Sequence, residues 1–299
     1  MAITPVPGSA PTRSSLPRSR WWREVGWRHV VGVLAVVWAL VPVLYIVSAS
    51  LNPSGSVAST TLVPREVSLV NFRELLTSDS IPFGRWALNT VLVCTVVTLA
   101  QLLFSALAAY AFSRFRFQGR RGGLLALLLI QMFPQFLAAV ALYTMISSIG
   151  DAVPAIGLNT LLGYTLVLMG GALGQVWLIK GFFDTIPLSL DEAAKMDGAG
   201  HATTFFRIIL PLVRPILAVS GLLVFVSVIA EFLLASIFLT DNNRKTLAVG
   251  LYGLIDGDRS NNLGLFAAGA VLTAVPVVAL FLWLQRYIVG GITAGGVKG

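Results

Sequence analysis

The chain alternates between long apolar runs and shorter polar stretches, and the runs have the length of membrane spans. Residues 30–51 carry no charge over 22 positions. At about 1.5 Å per residue, a helix of that length covers a hydrocarbon core about 30 Å thick. The run exceeds the roughly 7–15 apolar residues of a cleaved signal peptide, so an uncleaved first span is expected. Further apolar runs occupy 86–113, 122–150, 152–179, 215–240 and 260–285. Between them lie a mixed polar loop at 52–85, a basic turn at 114–121 and a tight turn marked by Asp151, Pro154 and Gly157. Two longer polar loops follow, at 180–214 and 241–259. Pro134 and Pro276 predict kinks in their runs. Residues 1–29, rich in Pro, Ser, Thr and Arg, read as a disordered tail that ends in a basic stretch with Trp21, Trp22 and Trp27 at the membrane interface. By composition, 289–299 is a glycine-rich second tail. The pattern predicts an all-α integral membrane protein with six transmembrane helices within 30–288 and both ends on one side.

Composition agrees, with 56% hydrophobic residues, 11% charged residues and a mean hydropathy of +0.84. A soluble domain has about 25% charged residues. The net charge of +8 raises the question of nucleic acid, and the placement of the charges answers it. Of 21 Lys and Arg residues, 15 fall in the N-terminal tail, 114–121, 180–214 and the segment after Gln285, and six fall in 52–85 and 241–259. None lies in a span. That bias marks the richer side as cytoplasmic, so the basic charge is a membrane flank and no nucleic-acid surface is expected.

Catalytic signatures are missing from the sequence. Its two histidines, His29 and His201, lie outside the spans, and no H-E-x-x-H or G-x-S-x-G occurs. The single cysteine, Cys94, sits inside an apolar run and excludes an intrachain disulfide. There is no G-x-x-x-x-G-K-[ST], so the chain holds no ATP site of that type and any ATP-derived energy must come from a partner. No repeat with a period of 20–50 residues appears, which counts against a secondary transporter built from repeats.

The most polar long segment runs from Pro187 to Pro211. Ser189 and Glu192 have the S-x-x-E spacing of a capping box. Asp191 and Glu192 would sit in a first helical turn, where the helix dipole favours acids. Gly198 and Gly200 permit a sharp bend, and 203–210 reads as a second short helix. Glu192-Ala193-Ala194, three residues, Gly198, nine residues, Ile208, one residue and Leu210-Pro211 resembles the EAA loop of ABC-importer permeases at seven positions. Without that resemblance the segment is an ordinary amphipathic loop helix between spans. The resemblance implies a type I importer permease fold whose cytoplasmic coupling helix docks into a groove on an ATPase.

Further stretches resemble the maltose-type permease subunits: Gln131-Met132-Phe133-Pro134, Gly157-Leu158-Asn159-Thr160, Lys180-Gly181-Phe182-Phe183, Thr246-Leu247-Ala248-Val249-Gly250 and the ending 291–299. Together they cover about 30–299. The resemblance implies a second, MalF-like permease subunit, a MalK-like ATPase dimer that carries ATP and Mg, and an extracytoplasmic sugar-binding protein, with no cofactor in this chain. It makes Glu192 the polar contact to the ATPase, with Ala193 and Ala194 thinning the helix, Gly198 making the bend, and Asp197, Leu210 and Pro211 completing the segment. The glycine-rich ending would reach toward the ATPase dimer interface. Leu190, Met196, Phe205 and Phe206 are candidate apolar contacts, or else pack against the chain's own helix ends.

Glu231 is the one ionisable group inside a span. Such a residue costs a few kcal/mol and must face protein or water. A gate-lining or structural role at a subunit interface is expected, with an ion relay as the alternative. Gln131, Gln135, Asn159 and Gln175 could line a sugar path, or simply bond between helices. Maltose or maltodextrin import is the expectation, with trehalose or another oligosaccharide as the alternative. Readings from other classes are an ion-coupled transporter and a membrane scaffold for an ATPase.

Overall fold

A computed structural model describes residues 22–54, 60–64, 66–256 and 262–295. Most of the expected N-terminal tail and the last four residues, 296–299, lie outside these. Among the described residues the chain is all helical. A π-helical turn, Trp22–Gly26, leads into α1, Trp27–Leu51. Helical structure therefore begins inside the stretch expected to end the tail. At the other end, the last helix continues through Gly295 and takes in most of the second tail.

After α1 come a short helix α2 (Val70–Thr77) and α3 (Phe83–Arg114), an unbroken helix of 32 residues. Next are α4 (Arg120–Gln131), α5 (Gln135–Ala152), α6 (Leu161–Met169) and α7 (Val176–Phe183). The polar segment supplies α8 (Ser189–Met196). The chain then closes with α9 (Arg214–Ile229), α10 (Leu233–Phe238), α11 (Leu247–Asp256) and α12 (Leu263–Gly295).

The expected spans differ in how they are realised. Among the described residues, three helices are long and apolar enough to cross a membrane singly: Trp27–Leu51, Phe83–Arg114 and Leu263–Tyr287. The bent pair formed by His201–Leu212 and Arg214–Ile229 makes a fourth candidate. The third and fourth apolar runs are divided. Pro134 cannot continue the amide ladder, so α4 and α5 separate there instead of kinking. Gly170, Gly171 and Gly174 open a stretch of turns between α6 and α7. Pro276, by contrast, lies within the continuous α12.

Helix α3 organises the packing, because it contributes to each of three buried clusters. Phe83 and Trp86 join Leu75, Leu247, Leu251 and Leu265 at one end. Val93 and Val97 join Tyr164, Leu234, Ala235 and Phe238 in the middle. Ala106, Ala109 and Tyr110 join Val176, Ile179, Phe183, Phe205 and Ile209 at the other end. The loops sort with these ends. Trp86, Asn89 and Thr90 bond to the 242–247 segment, whereas Ser113 and Arg114 bond to the 184–191 segment. Regions on opposite sides of the Lys and Arg tally thus meet opposite ends of α3.

Polar side chains of α3 also serve its divided neighbours. Gln101 Nε2 donates to the Leu168 carbonyl at 2.9 Å, and Ser105 Oγ donates to the Ala172 carbonyl at 2.6 Å. Both carbonyls stand where α6 gives way to turns; the Leu168 oxygen also accepts from Gly171 N at 3.2 Å, so Gln101 adds a second bond there. By contrast, α1 is sparsely covered, with Trp38 82% exposed.

The glycine at position 250 is dictated by space. A Cβ there would overlap the Trp86 ring, which is buried and held by a 2.6 Å hydrogen bond from its Nε1 to the Asn242 carbonyl. Gly250→Ala is expected to lower stability by about 1–3 kcal/mol through overpacking. Gly253→Ala, in the same helix with open space around it, should be neutral or slightly stabilising. Thermal unfolding of the two variants in detergent checks the contrast.

Candidate functional site

Helix α8 is short and strongly two-faced, with Asp191 and Glu192 in its first turn and Lys195 in its last, as the helix dipole favours. The Ser189–Glu192 capping box does not form. The helix starts one step earlier, with Leu188 at the N-cap and no side-chain cap, which puts Ser189 in the first turn. Its amides find partners upstream instead: Leu190 N donates to the Pro187 carbonyl and Glu192 N to the Leu188 carbonyl.

The two neighbouring acids part company. Asp191 turns inward, 8% exposed, and forms an ion pair with Arg114 at the end of α3, Oδ2 to Nε 3.1 Å. The pair is close but not aligned as a hydrogen bond. Tyr110 Oη also reaches Asp191 Oδ1 at 3.4 Å, and Arg114 Nη2 donates to the Ile186 carbonyl at 3.1 Å. Glu192 turns outward. With Ser189, Ala193 and Met196 it occupies positions i, i+3, i+4 and i+7 of one exposed strip. Met196 is the most prominent member, 89% exposed. The two alanines also divide, since Ala193 belongs to this strip while Ala194, 4% exposed, packs inward.

The helix ends at Gly198, whose φ of +78° lies in the left-handed region. Gly198 N donates to the Lys195 carbonyl at 3.0 Å and Ala199 N to the Ala194 carbonyl at 2.8 Å, the paired bonds of a Schellman stop. Asp197 is the exposed C-cap residue. Beyond it, Thr204–Ile209 forms a π-helical turn, in place of the plain short helix expected, and Leu210 and Pro211 begin a last half-buried turn. His201–Leu212 then meets α9 at an angle of 79°. Phe205, 2% exposed, stacks on Tyr110 with ring centroids 5.0 Å apart, while Phe206 remains 51% exposed. Of the four apolar candidates, Phe205 therefore packs internally, and Leu190, Met196 and Phe206 stay available.

A second tie lies beside the first. Asp184 accepts hydrogen bonds from Lys180 Nζ at 2.5 Å and Ser113 Oγ at 2.7 Å. Partial burial pushes its carboxyl up, but these two bonds outweigh that and hold it below the ordinary carboxylate range. It stays ionised through neutral and mildly acid pH, and the tie would loosen only as pH falls through that lowered value.

Two of the candidate path residues hold the ends of one short helix. Glu231 lies in the break between α9 and α10. Its Oε1 accepts from Leu234 N at 2.7 Å, and its Oε2 accepts from Ala235 N at 2.9 Å and Tyr164 Oη at 2.7 Å. The carboxylate thus caps the start of α10 and satisfies two amides freed by the break. Asn159, at a φ of 57°, holds the other end of α10. Its backbone N donates to the Phe238 carbonyl, and its side-chain oxygen accepts from Thr240 N, Thr240 Oγ1 and Asp241 N. These two residues meet on the same six-residue helix. Gln131 does not join them and is exposed at the end of α4. Sequence reasoning passed over Tyr110, Gln101, Ser105 and the Arg114–Asp191 pair. The only signal for the pair was an extra acid beside Glu192 and an arginine opening the basic turn.

The family described as "Binding-protein-dependent transport system inner membrane component" matches residues 101–293, a span that contains α8 and its elbow. The chain belongs to this family. The maltose/maltodextrin transport system permease protein MalG of Yersinia pestis is 39% identical over 294 residues, covering 95% of this chain and 96% of that protein. MalG of Escherichia coli K12 is 39% identical, covering 91% and 95%. The galactooligosaccharides transport system permease protein GanQ of Bacillus subtilis is 38% identical, covering 86% and 90%. A crystal structure of a bacterial ABC transporter involved in import of the acidic polysaccharide alginate aligns with a TM-score of 0.75 and 22% identity, covering 91% of this chain and 99% of that one. The permease therefore has the type I ABC-importer fold.

Open space surrounds the point where a Cβ would stand at Gly198, so backbone conformation alone sets the cost of replacing this glycine in the permease. Gly198→Ala should cost about 1–2 kcal/mol at the stop of α8. The expected signature is faster proteolysis or hydrogen exchange confined to 189–211, with the rest of the chain unchanged.

Proposed function

We propose that this permease is one membrane subunit of an ATP-driven importer of maltose- or maltodextrin-like oligosaccharides. In this reading six crossings, some of them divided, complete the membrane domain. Both ends and the 180–214 loop face the cytoplasm, in keeping with the bias of Lys and Arg. A second permease subunit, two copies of an ATPase that bind ATP and Mg, and an extracytoplasmic sugar-binding protein complete the assembly. The chain itself is not catalytic.

The observation that carries this reading is the exposed strip of α8. A helix fixed from beneath by a buried ion pair presents Glu192, Ala193 and Met196 outward on a protruding elbow. One charge flanked by a small residue and a flexible apolar tip suits a groove on a partner. Closure of the ATPases on ATP would push this strip and, through rigid helices, alternate the access of a central passage. The relatives' names favour neutral oligosaccharides as cargo, with galactooligosaccharides or trehalose as competing substrates. The binding protein would engage 52–85 and 241–259.

The deciding measurement is ATP hydrolysis by the reconstituted complex across a panel of sugars. Stimulation by maltose or maltotriose is expected. Stimulation only by a galactoside or by trehalose would reassign the cargo, and no associated ATPase at all would end the importer reading. Glu192→Ala should lower sugar uptake about tenfold by removing one charge-assisted contact of roughly 1.5–3 kcal/mol. Uptake that persists without an ATPase but disappears in Glu231→Gln would favour ion coupling instead.

A further inference from the structure

We propose that Arg114 and Asp191 are the positioning residues through which α8 transmits its movement to the membrane domain, and that α3 is the element that receives it. The inference rests on the coupling role of α8 proposed above, and adds which joint carries the load.

Consider how a push on the outer strip of α8 could travel. Downstream, the chain leaves through Gly198, in left-handed conformation, and Gly200, a two-glycine connection that yields easily. Upstream, it leaves through the turn at 184–188. Neither connection is stiff by itself. Beneath the helix, however, Asp191 meets Arg114 with their side chains only 11% and 5% exposed. The same guanidinium holds the Ile186 carbonyl, so one arginine grips both α8 and the turn before it. Tyr110, one helical turn earlier on α3, closes the contact with rings of Phe115, Phe183 and Phe205 around it at 5.6, 6.0 and 5.0 Å. Ser113 takes the neighbouring Asp184. Tyr110, Ser113 and Arg114, all in the final stretch of α3, thus clasp the segment 183–191.

What lies beyond Arg114 is the longest unbroken helix near the joint. α3 runs 32 residues to Phe83 with no proline inside it. Its far end is clasped as firmly. Trp86 Nε1 bonds to the Asn242 carbonyl, Asn89 Nδ2 to the Asn243 and Lys245 carbonyls, and Thr90 Oγ1 accepts from Leu247 N. α8 at one end and the 242–247 segment at the other are therefore tied to a single rod. The alternative route, through the elbow and α9, passes the 79° bend and the break at Glu231. The glycines and breaks make that route compliant. The buried pair makes the route through α3 stiff.

The test uses the complete transporter in proteoliposomes with its ATPase and binding protein, and reads sugar delivered per ATP hydrolysed. Asp191→Asn and Arg114→Gln should each leave the ATPase bound and hydrolysing while sugar per ATP falls about tenfold, within the usual range of site-to-site coupling. Asp191→Glu, which keeps the charge, should recover most of the loss. A ratio unchanged in both single variants overturns the proposal. Should both fail to accumulate, Arg114→Lys is read instead: a lowered ratio supports the joint, because a lysine cannot grip Asp191 and Ile186 together, and an unchanged ratio overturns it. A parent complex that carries no ATPase would defeat the coupling reading itself, an outcome distinct from these.

Discussion

A polypeptide that breaks its helices inside an apolar layer must supply another partner for every backbone group it frees, and this constraint shapes the whole chain. The described structure contains such breaks at 170–175 and 230–232, and a turn at 239–246. Each is met by particular side chains. Gln101 and Ser105 take carbonyls at the first, Glu231 takes amides at the second, and Asn159, Thr90 and Asn89 hold the third. Four of these six residues sit on α3. A continuous helix makes its neighbours' discontinuity tolerable.

Mechanical character follows from the same arrangement. α3 threads three buried clusters and ends against α8, so the parts that bend are arrayed around one that does not. The buried ion pair at that junction is specific rather than generous in energy, since burying two charges offsets most of their attraction. Its value lies in joining α8 to the end of α3 at a defined point. Asp191 and Ala194 face inward, and Glu192, Ala193 and Met196 occupy the opposite, exposed strip.

Much of this was readable in the residues. Runs of apolar residues located the long helices, whereas α2 and α11 formed within 52–85 and 241–259, stretches that read as polar loops. The polar segment at 187–211 stood out by composition and does contain a short helix. Gly198 was legible because one residue type serves a left-handed helix stop. What periodicity could not reveal was how spans divide. Pro134 promised a kink and gave a separation, whereas the helix around Pro276 runs on through it without separating. Local sequence does not distinguish these, because the outcome depends on whether neighbours accept the freed carbonyls. Glu231 was rightly singled out as an oddity, but its duty as a cap requires knowing that a new helix starts just after it. The Ser189–Glu192 spacing misled for a related reason: the helix begins at Ser189 with Leu188 as its N-cap, so Ser189 sits inside the first turn and cannot cap it. Pairings 77 residues apart in sequence, as Arg114 and Asp191 are, leave no local trace.

The hydrogen bonds of α3 also set a schedule for biosynthesis. Gln101 and Ser105 each precede the carbonyl they satisfy by 67 residues, and Trp86 precedes Asn242 by 156. At about 5–20 residues per second of translation, the rod waits several seconds to half a minute for its counterparts to emerge. During that interval its Gln101, Ser105 and Trp86 side chains lack these later partners, although Thr90 already bonds the Trp86 carbonyl within the rod. The rod's side-chain bonds to its neighbours are completed only once the C-terminal half of the chain has entered the membrane.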